Sequence, residues 1–184
     1  MRVIAGALKG RRLDAPDWPG LRPTSDKLRE TLFNVLAPRV PDARVLDGYA
    51  GTGAVGIEAL SRGASHVTFV DGDPRAVRLI DANLRRCQVT DRYAIIRARF
   101  EESAPRLPAP FDLVFLDPPY GADTIDTALT AASSLIAADG VLVLEHARRD
   151  TAPARIGRLE LTRDLVSGDS ALAFYRTSRA ADEG

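Results

Sequence analysis

Four consecutive residues, Asp117-Pro118-Pro119-Tyr120, follow the apolar run Phe111-Asp112-Leu113-Val114-Phe115-Leu116 and bring together a carboxylate, backbone carbonyls and an aromatic ring. Two prolines in a row cannot continue a central strand; they force a rigid, extended turn whose carbonyls have no ladder partner and stay free as acceptors. The Asp117 carboxylate and the Pro118 carbonyl can each take one N–H of an exocyclic amine on a purine. Held that way, an amine whose lone pair is normally delocalised into the ring is drawn toward tetrahedral geometry and can attack a methyl group carried on a sulfonium. Positioning and charge stabilisation then carry most of the barrier, because a sulfonium cofactor already supplies a good leaving group. Tyr120 can stack on the base, which has to be unpaired or extruded to reach it. In the plainer alternative the same residues form an ordinary strand-ending turn, with Asp117 as a cap and Tyr120 as packing.

A second constellation follows Val45-Leu46-Asp47, where Gly48-Tyr49-Ala50-Gly51-Thr52-Gly53-Ala54-Val55-Gly56 leads into a helical segment. Gly51, Gly53 and Gly56 satisfy G-x-G-x-x-G in a strand–turn–helix context, where glycine lets the backbone approach a ligand closely. Asp71, at the end of the next apolar run and followed by Gly72, is spaced to hydrogen-bond the hydroxyls of a ribose. These features fit nicotinamide and adenosylmethionine cofactors alike. Asp47 separates them, since a carboxylate beside the loop suits a cationic terminus such as the amino group of a methionine moiety and repels a pyrophosphate.

Both constellations need strands that deliver them to one edge of a sheet. Short apolar or β-branched runs at 44–47, 67–71, 94–97, 111–117 and 141–145 read as strands, and 54–62, Pro74–Arg86 and 124–137 read as helices between them. Asp73 before Pro74 is a cap-then-proline helix start. Apolar strands alternating with helices predict a doubly wound, mostly parallel α/β sheet covered on both faces. Residues 159–161 and 172–175 add a closing antiparallel pair. Ahead of this body, 2–5 and 10–14 can pair as a hairpin. Thr24 or Ser25 then caps a helix whose Leu28, Leu32, Val35 and Leu36 share one face, while Arg22, Lys27 and Arg29 stand on its charged side. The expected organisation is an N-terminal hairpin and helix over residues 1–43, a catalytic domain over 44–176, and a flexible tail over 177–184.

Composition bounds what this body can be. With 184 residues and 45% hydrophobic content the chain can bury a core as one domain, and no stretch approaches the roughly 18 apolar residues of a membrane span. Cys87 is the single cysteine and His66 and His146 are the only histidines, so no internal disulfide or Cys/His metal site is expected, and a reducing cytoplasm is the default. Lys+Arg 25 balance Asp+Glu 25, a net charge of +0 that argues against a nucleic-acid partner until it is divided along the chain. Residues 1–44 carry nine Lys and Arg against five Asp and Glu, a local +4 that leaves −4 on the remainder. A basic end on an acidic body is what a chain needs if one end meets a polyanion.

In combination these motifs are specific. Asp117-Pro118-Pro119-Tyr120 resembles the signature of adenosylmethionine-dependent enzymes that methylate amino groups of nucleic-acid bases. The segments Arg2-Val3-Ile4-Ala5-Gly6, Gly10-Arg11-Arg12-Leu13, Arg22-Pro23-Thr24, Arg29-Glu30-Thr31-Leu32-Phe33-Asn34, Leu60-Ser61-Arg62-Gly63-Ala64 and Gly168-Asp169-Ser170-Ala171 resemble those of the RsmD family of bacterial 16S rRNA guanine-N2-methyltransferases. The resemblance implies a seven-stranded Rossmann-like methyltransferase fold and catalysis at Asp117, Pro118, Pro119 and Tyr120. It implies S-adenosylmethionine held by Thr24, Asp47, Tyr49, Gly51, Gly53, Asp71, Gly72, Arg99 and Phe100, with Arg99 near the adenine amino group and Phe100 as an apolar wall. It further implies rRNA contacts from Arg2, Lys9, Arg11, Arg12, Arg22 and Lys27, by a monomer acting on 16S rRNA, naked or within an assembling small subunit. Gly48 stands where a larger residue is common, a departure expected to loosen packing under the loop. The alternatives are a DNA adenine-N6 methyltransferase, which shares the Asp117 chemistry but needs room for a target-recognition domain, an NAD-dependent oxidoreductase, and a catalytically silent RNA-binding module.

Overall fold

Successive residues of the central strands face opposite layers of the molecule: Val45, Val67, Phe69, Leu113 and Phe115 pack into one apolar cluster, and Leu46, Val70, Val114 and Leu116 into another on the far side of the sheet. Strands buried on both faces need helices above and below, and the chain supplies them. The computed structural model describes residues 1–178. In chain order the elements are α1 (Asp26–Leu36), β1 (Arg44–Asp47), α2 (Ala54–Ser61), β2 (His66–Asp71), α3 (Pro74–Arg86), β3 (Tyr93–Arg97), the short α4 (Phe100–Ser103), β4 (Phe111–Leu116), α5 (Ala122–Ala132), β5 (Ile136–Ala147), β6 (Arg155–Ile156), β7 (Leu159–Ser167) and β8 (Ser170–Thr177). They form one sheet of order β3-β2-β1-β4-β5-β8-β7-β6, parallel from β3 to β5 and antiparallel beyond. The direction of winding reverses between β1 and β4, the switch point where open α/β sheets bind ligands.

The doubly wound class holds, with eight strands among the described residues in place of seven; the extra one is the two-residue β6. Several boundaries also differ. α5 begins at Ala122 and stops at Ala132 instead of running over 124–137, because the Ser133 hydroxyl bonds back to the Thr130 carbonyl and the Leu135 amide to that of Ala132. The chain is then free to enter β5 at Ile136, five residues ahead of the expected start. β7 runs on to Ser167, far past 161, since its outward positions are polar and show no apolar alternation. The expected tail over 177–184 begins inside structure: Thr177 closes β8 and the Ser178 amide bonds to the Arg158 carbonyl, while the rest of that tail lies outside the described residues.

The N-terminal residues make a hairpin of a single bridge, Arg2 with Arg12, flanked by bonds from the Val3 amide to the Arg11 carbonyl and from the Gly10 amide to the Val3 carbonyl. This hairpin is fastened to α2. The buried Glu58 carboxylate accepts from the Ile4 and Ala5 amides at 2.8 and 3.0 Å, and the Ser61 hydroxyl accepts from the Leu8 amide at 2.9 Å. Asn83 of α3 joins the same segment to the glycine loop, donating to the Asp14 carbonyl at 3.2 Å and the Thr52 carbonyl at 2.9 Å. Ser25, not Thr24, caps α1, accepting from the Leu28 amide. Arg29 is fully buried, not part of a solvated face: its guanidinium donates to the Arg2 carbonyl at 2.8 Å and lies 3.9 Å from Glu58.

Candidate active site

The first βα turn is shaped by its glycines. Gly51 and Gly53 hold φ of +57° and +78°, a left-handed backbone that side chains rarely adopt. Gly56 serves packing: a Cβ there would come within 2.2 Å of the Phe69 ring, so its absence lets α2 settle on β2. The same holds for Gly48, where a Cβ would lie 2.5 Å from Leu116. The position is tightly filled, and the loosening expected from this departure does not occur.

The loop opens into a cleft of about 360 Å³ at the carboxyl ends of β1, β2, β4 and β5. Asp47, Tyr49, Gly51 and Asp71 line it from the glycine-loop side, Asp117, Pro118, Pro119 and Tyr120 from the end of β4, and residues 20–24, including Arg22 and Thr24, close it from above. Tyr120 is 52% exposed, its ring free to meet a planar ligand. Asp71 fixes the loop, one oxygen accepting from the Gly51 amide and the other from the Asp73 amide, both at 2.9 Å. Each oxygen keeps a further lone pair for a ligand hydroxyl. Tyr49 is held by its phenol, which donates to Glu101 at 2.5 Å, and by its ring against Phe100, with centroids 5.2 Å apart.

The floor of the cleft is electronegative. Asp47 accepts from the Gly56 amide at 3.0 Å, and burial, reinforced by the nearby Asp71, pushes its carboxyl up to about 7. Asp117 is pushed well above the usual carboxylate range by burial and by the charges of Glu145 and Asp47. Glu145, two residues before the end of β5, accepts from the Thr24 hydroxyl at 3.1 Å, and burial raises it too. Carboxylates stripped of water are relieved by a ligand that brings positive charge or N–H donors, and they oppose one that brings phosphate. This set of acceptors therefore fits the ammonium and sulfonium of adenosylmethionine and not a pyrophosphate.

Several expected site residues lie elsewhere. Phe100 is buried beneath Tyr49, so it backs the cleft wall without lining it. Arg99 points outward, its side chain 74% exposed and 3.8 Å from Glu102, and Gly72 packs beside it. Gly53 shapes the turn without lining the cleft. Lys27 does not reach the cleft either; with Arg2 and Lys9 it borders a separate groove of about 430 Å³ that also holds Asp26 and Glu30. Arg12 and Arg2 border a third depression with Arg86, and Arg11 is exposed, donating to Gln88. The residue that sequence reasoning missed is Glu145, which registers in the sequence only as the last residue of the run Val141-Leu142-Val143-Leu144.

Fold and site together define the class, a Rossmann-like methyltransferase. The chain belongs to the family described as Conserved hypothetical protein 95, the RsmD family, whose model matches residues 1–176. It is similar to Bacillus subtilis YlbH, 38% identical over 96% of this chain and 98% of that one. It is also similar to Escherichia coli (strain K12) Ribosomal RNA small subunit methyltransferase D, 33% identical over 96% of this chain and 89% of that one. The solved structure of Escherichia coli yhhF matches with a TM-score of 0.85 at 32% identity, covering 96% of this chain and 97% of that one.

Proposed function

We propose that the protein transfers a methyl group from S-adenosylmethionine to the exocyclic N2 amine of a guanine in 16S rRNA. One observation carries the reading: an Asp-Pro-Pro-Tyr turn and the carboxylates of Asp47 and Asp71 line a single cleft. The name of the Escherichia coli relative, a small-subunit rRNA methyltransferase, supports the substrate class.

Bound S-adenosylmethionine would supply an electrophilic methyl group and a good leaving group. Asp47 would hold the ammonium of its methionine part, Asp71 the ribose hydroxyls, and the Tyr49 ring an adjoining face of the nucleoside. Asp117 and the Pro118 carbonyl would accept the two N–H groups of the guanine amine, leaving its lone pair clear of hydrogen bonds. Tyr120 would stack on the extruded base. Arg2, Lys9 and Lys27 along their groove, with Arg11, Arg12 and Arg22, would take rRNA phosphates.

Calorimetry tests the cofactor and turnover tests the chemistry. The protein is expected to bind S-adenosylmethionine and not NAD, with Asp71→Ala weakening the first. Asp117→Ala is expected to lower methyl transfer to undermethylated 16S rRNA at least about 100-fold while cofactor affinity stays within a few-fold. NAD binding in place of adenosylmethionine, or an unchanged turnover in Asp117→Ala, would refute the reading.

A further inference from the structure

β4 and β5 are parallel neighbours in which Leu116 pairs with Leu144, so the next residues stand side by side, Asp117 just past the end of β4 and Glu145 still within β5, where it pairs with Leu172 of β8. Neighbouring strands stand about 4.8 Å apart, close enough for two carboxylates to address adjacent atoms of one ligand edge. Glu145 is only 8% exposed, and that surface gives onto the cleft. One of its oxygens accepts from the Thr24 hydroxyl at 3.1 Å, and the Ser170 hydroxyl lies beside it. These bonds fix the orientation of the carboxylate without using all of its acceptor sites.

An ionised carboxylate only accepts hydrogen bonds. Guanine presents N1–H beside its N2 amine, two donors in a row. Adenine presents an amine beside a bare N1, and the same holds for 2-aminopurine and 2,6-diaminopurine at their N2 edge. A carboxylate next to the amine-binding one therefore pairs with guanine and opposes the others. We propose that Glu145 accepts the N1–H of the target guanine while Asp117 engages its N2 amine, which makes Glu145 the residue that selects guanine. This rests on the function proposed above. The mutual repulsion of Asp117 and Glu145 agrees with it, since two N–H donors on one rigid edge would offset both charges at once.

The test uses 16S rRNA ligated to carry guanosine or 2,6-diaminopurine riboside at the methylated position, naked or reconstituted into the small subunit, whichever the wild-type enzyme methylates. Both bases keep the N2 amine; they differ at N1, a donor in guanine and a bare acceptor in the other, and at C6, a carbonyl against an amine, and the Glu145→Gln arm isolates the N1 difference. The wild-type protein is expected to favour guanosine in kcat/KM by about 10- to 100-fold, the worth of one well-made base contact. Glu145→Gln is expected to bring that ratio toward about 1, because an amide can turn its N–H to a bare N1. A role limited to holding Thr24 and Ser170 would lower both rates and leave the ratio where it was. A wild-type ratio near 1 overturns the inference even if the variant does not fold, and so does a folded Glu145→Gln protein with the wild-type ratio. Absence of any guanosine methylation by the wild-type protein instead overturns the proposed function, and this inference with it.

Discussion

Asp47 gives up water to sit under the glycine loop, and the cost appears as a dependence on pH. Its carboxyl titrates near 3.8 in an unfolded chain and is pushed up to about 7 by burial in the folded one. Between those values the folded state holds the proton more tightly. The contribution of this residue is thus fully present below about pH 4 and is lost as the pH rises through about 7. Replacing the carboxyl by an amide keeps an acceptor for the Gly56 amide and removes the titration. The unfolding free energy of Asp47→Asn is therefore expected to gain on the wild-type value by about 4 kcal/mol between pH 4 and pH 8, read from denaturant melts at each pH. A constant difference across that range would mean that Asp47 is not buried as described. A cationic ligand reverses the penalty, so adenosylmethionine binding below pH 7 is expected to release a proton.

Elements explain why part of this was legible in the sequence and part was not. α3 announces itself by its period and its Asp73 cap, α2 by the glycine loop before it and the parallel strands by their apolar runs, so Asp47, Asp71 and Asp117, each at a strand end, could be assigned to one sheet edge from the sequence alone. Glu145 could not, because it closes an apolar run with no motif around it, and only the register of Leu116 with Leu144 sets it beside Asp117. Phe100 reads as a cofactor wall until α4 is seen to turn it into the apolar layer under Tyr49. Arg29 reads as one more surface charge on α1, since its hydrogen-bonded carboxylate, Asp26 at 2.5 Å, is a neighbour on the same helix, and the buried Glu58, 3.9 Å away, sits in an otherwise apolar helix. Glu58, through the amides of Ile4 and Ala5, and Arg29, through the Arg2 carbonyl, fix the N-terminal hairpin to α2 and α1, and their opposite charges lie 3.9 Å apart. Arg29→Met leaves Glu58 without its buried counter-charge and is expected to cost about 3–5 kcal/mol of stability in chemical denaturation. A loss below about 1 kcal/mol would show that Arg62, 2.9 Å from Glu58 on its other side, suffices alone.

At the scale of the whole molecule, a formal charge of +0 conceals a division of labour. The basic N-terminal segment lies on α2 and α3, whereas the acidic cleft floor belongs to the strand ends. Each sign stands where its ligand needs it: phosphates outside, a sulfonium and base N–H groups inside. Charge reversal of Arg11 and Arg12 is expected to weaken RNA association and to flatten the slope of log affinity against log salt by about 0.7 for each phosphate left unneutralised. An unaltered slope would assign both arginines to the solvated surface. The most direct measurement of the central claim is to incubate the protein with methyl-labelled S-adenosylmethionine and, separately, undermethylated 16S rRNA, small subunits and DNA, then identify the labelled nucleoside by mass spectrometry. The expected result is N2-methylguanosine at one position of 16S rRNA. Label at adenine N6 in DNA, or no transfer to any of the three, would contradict it.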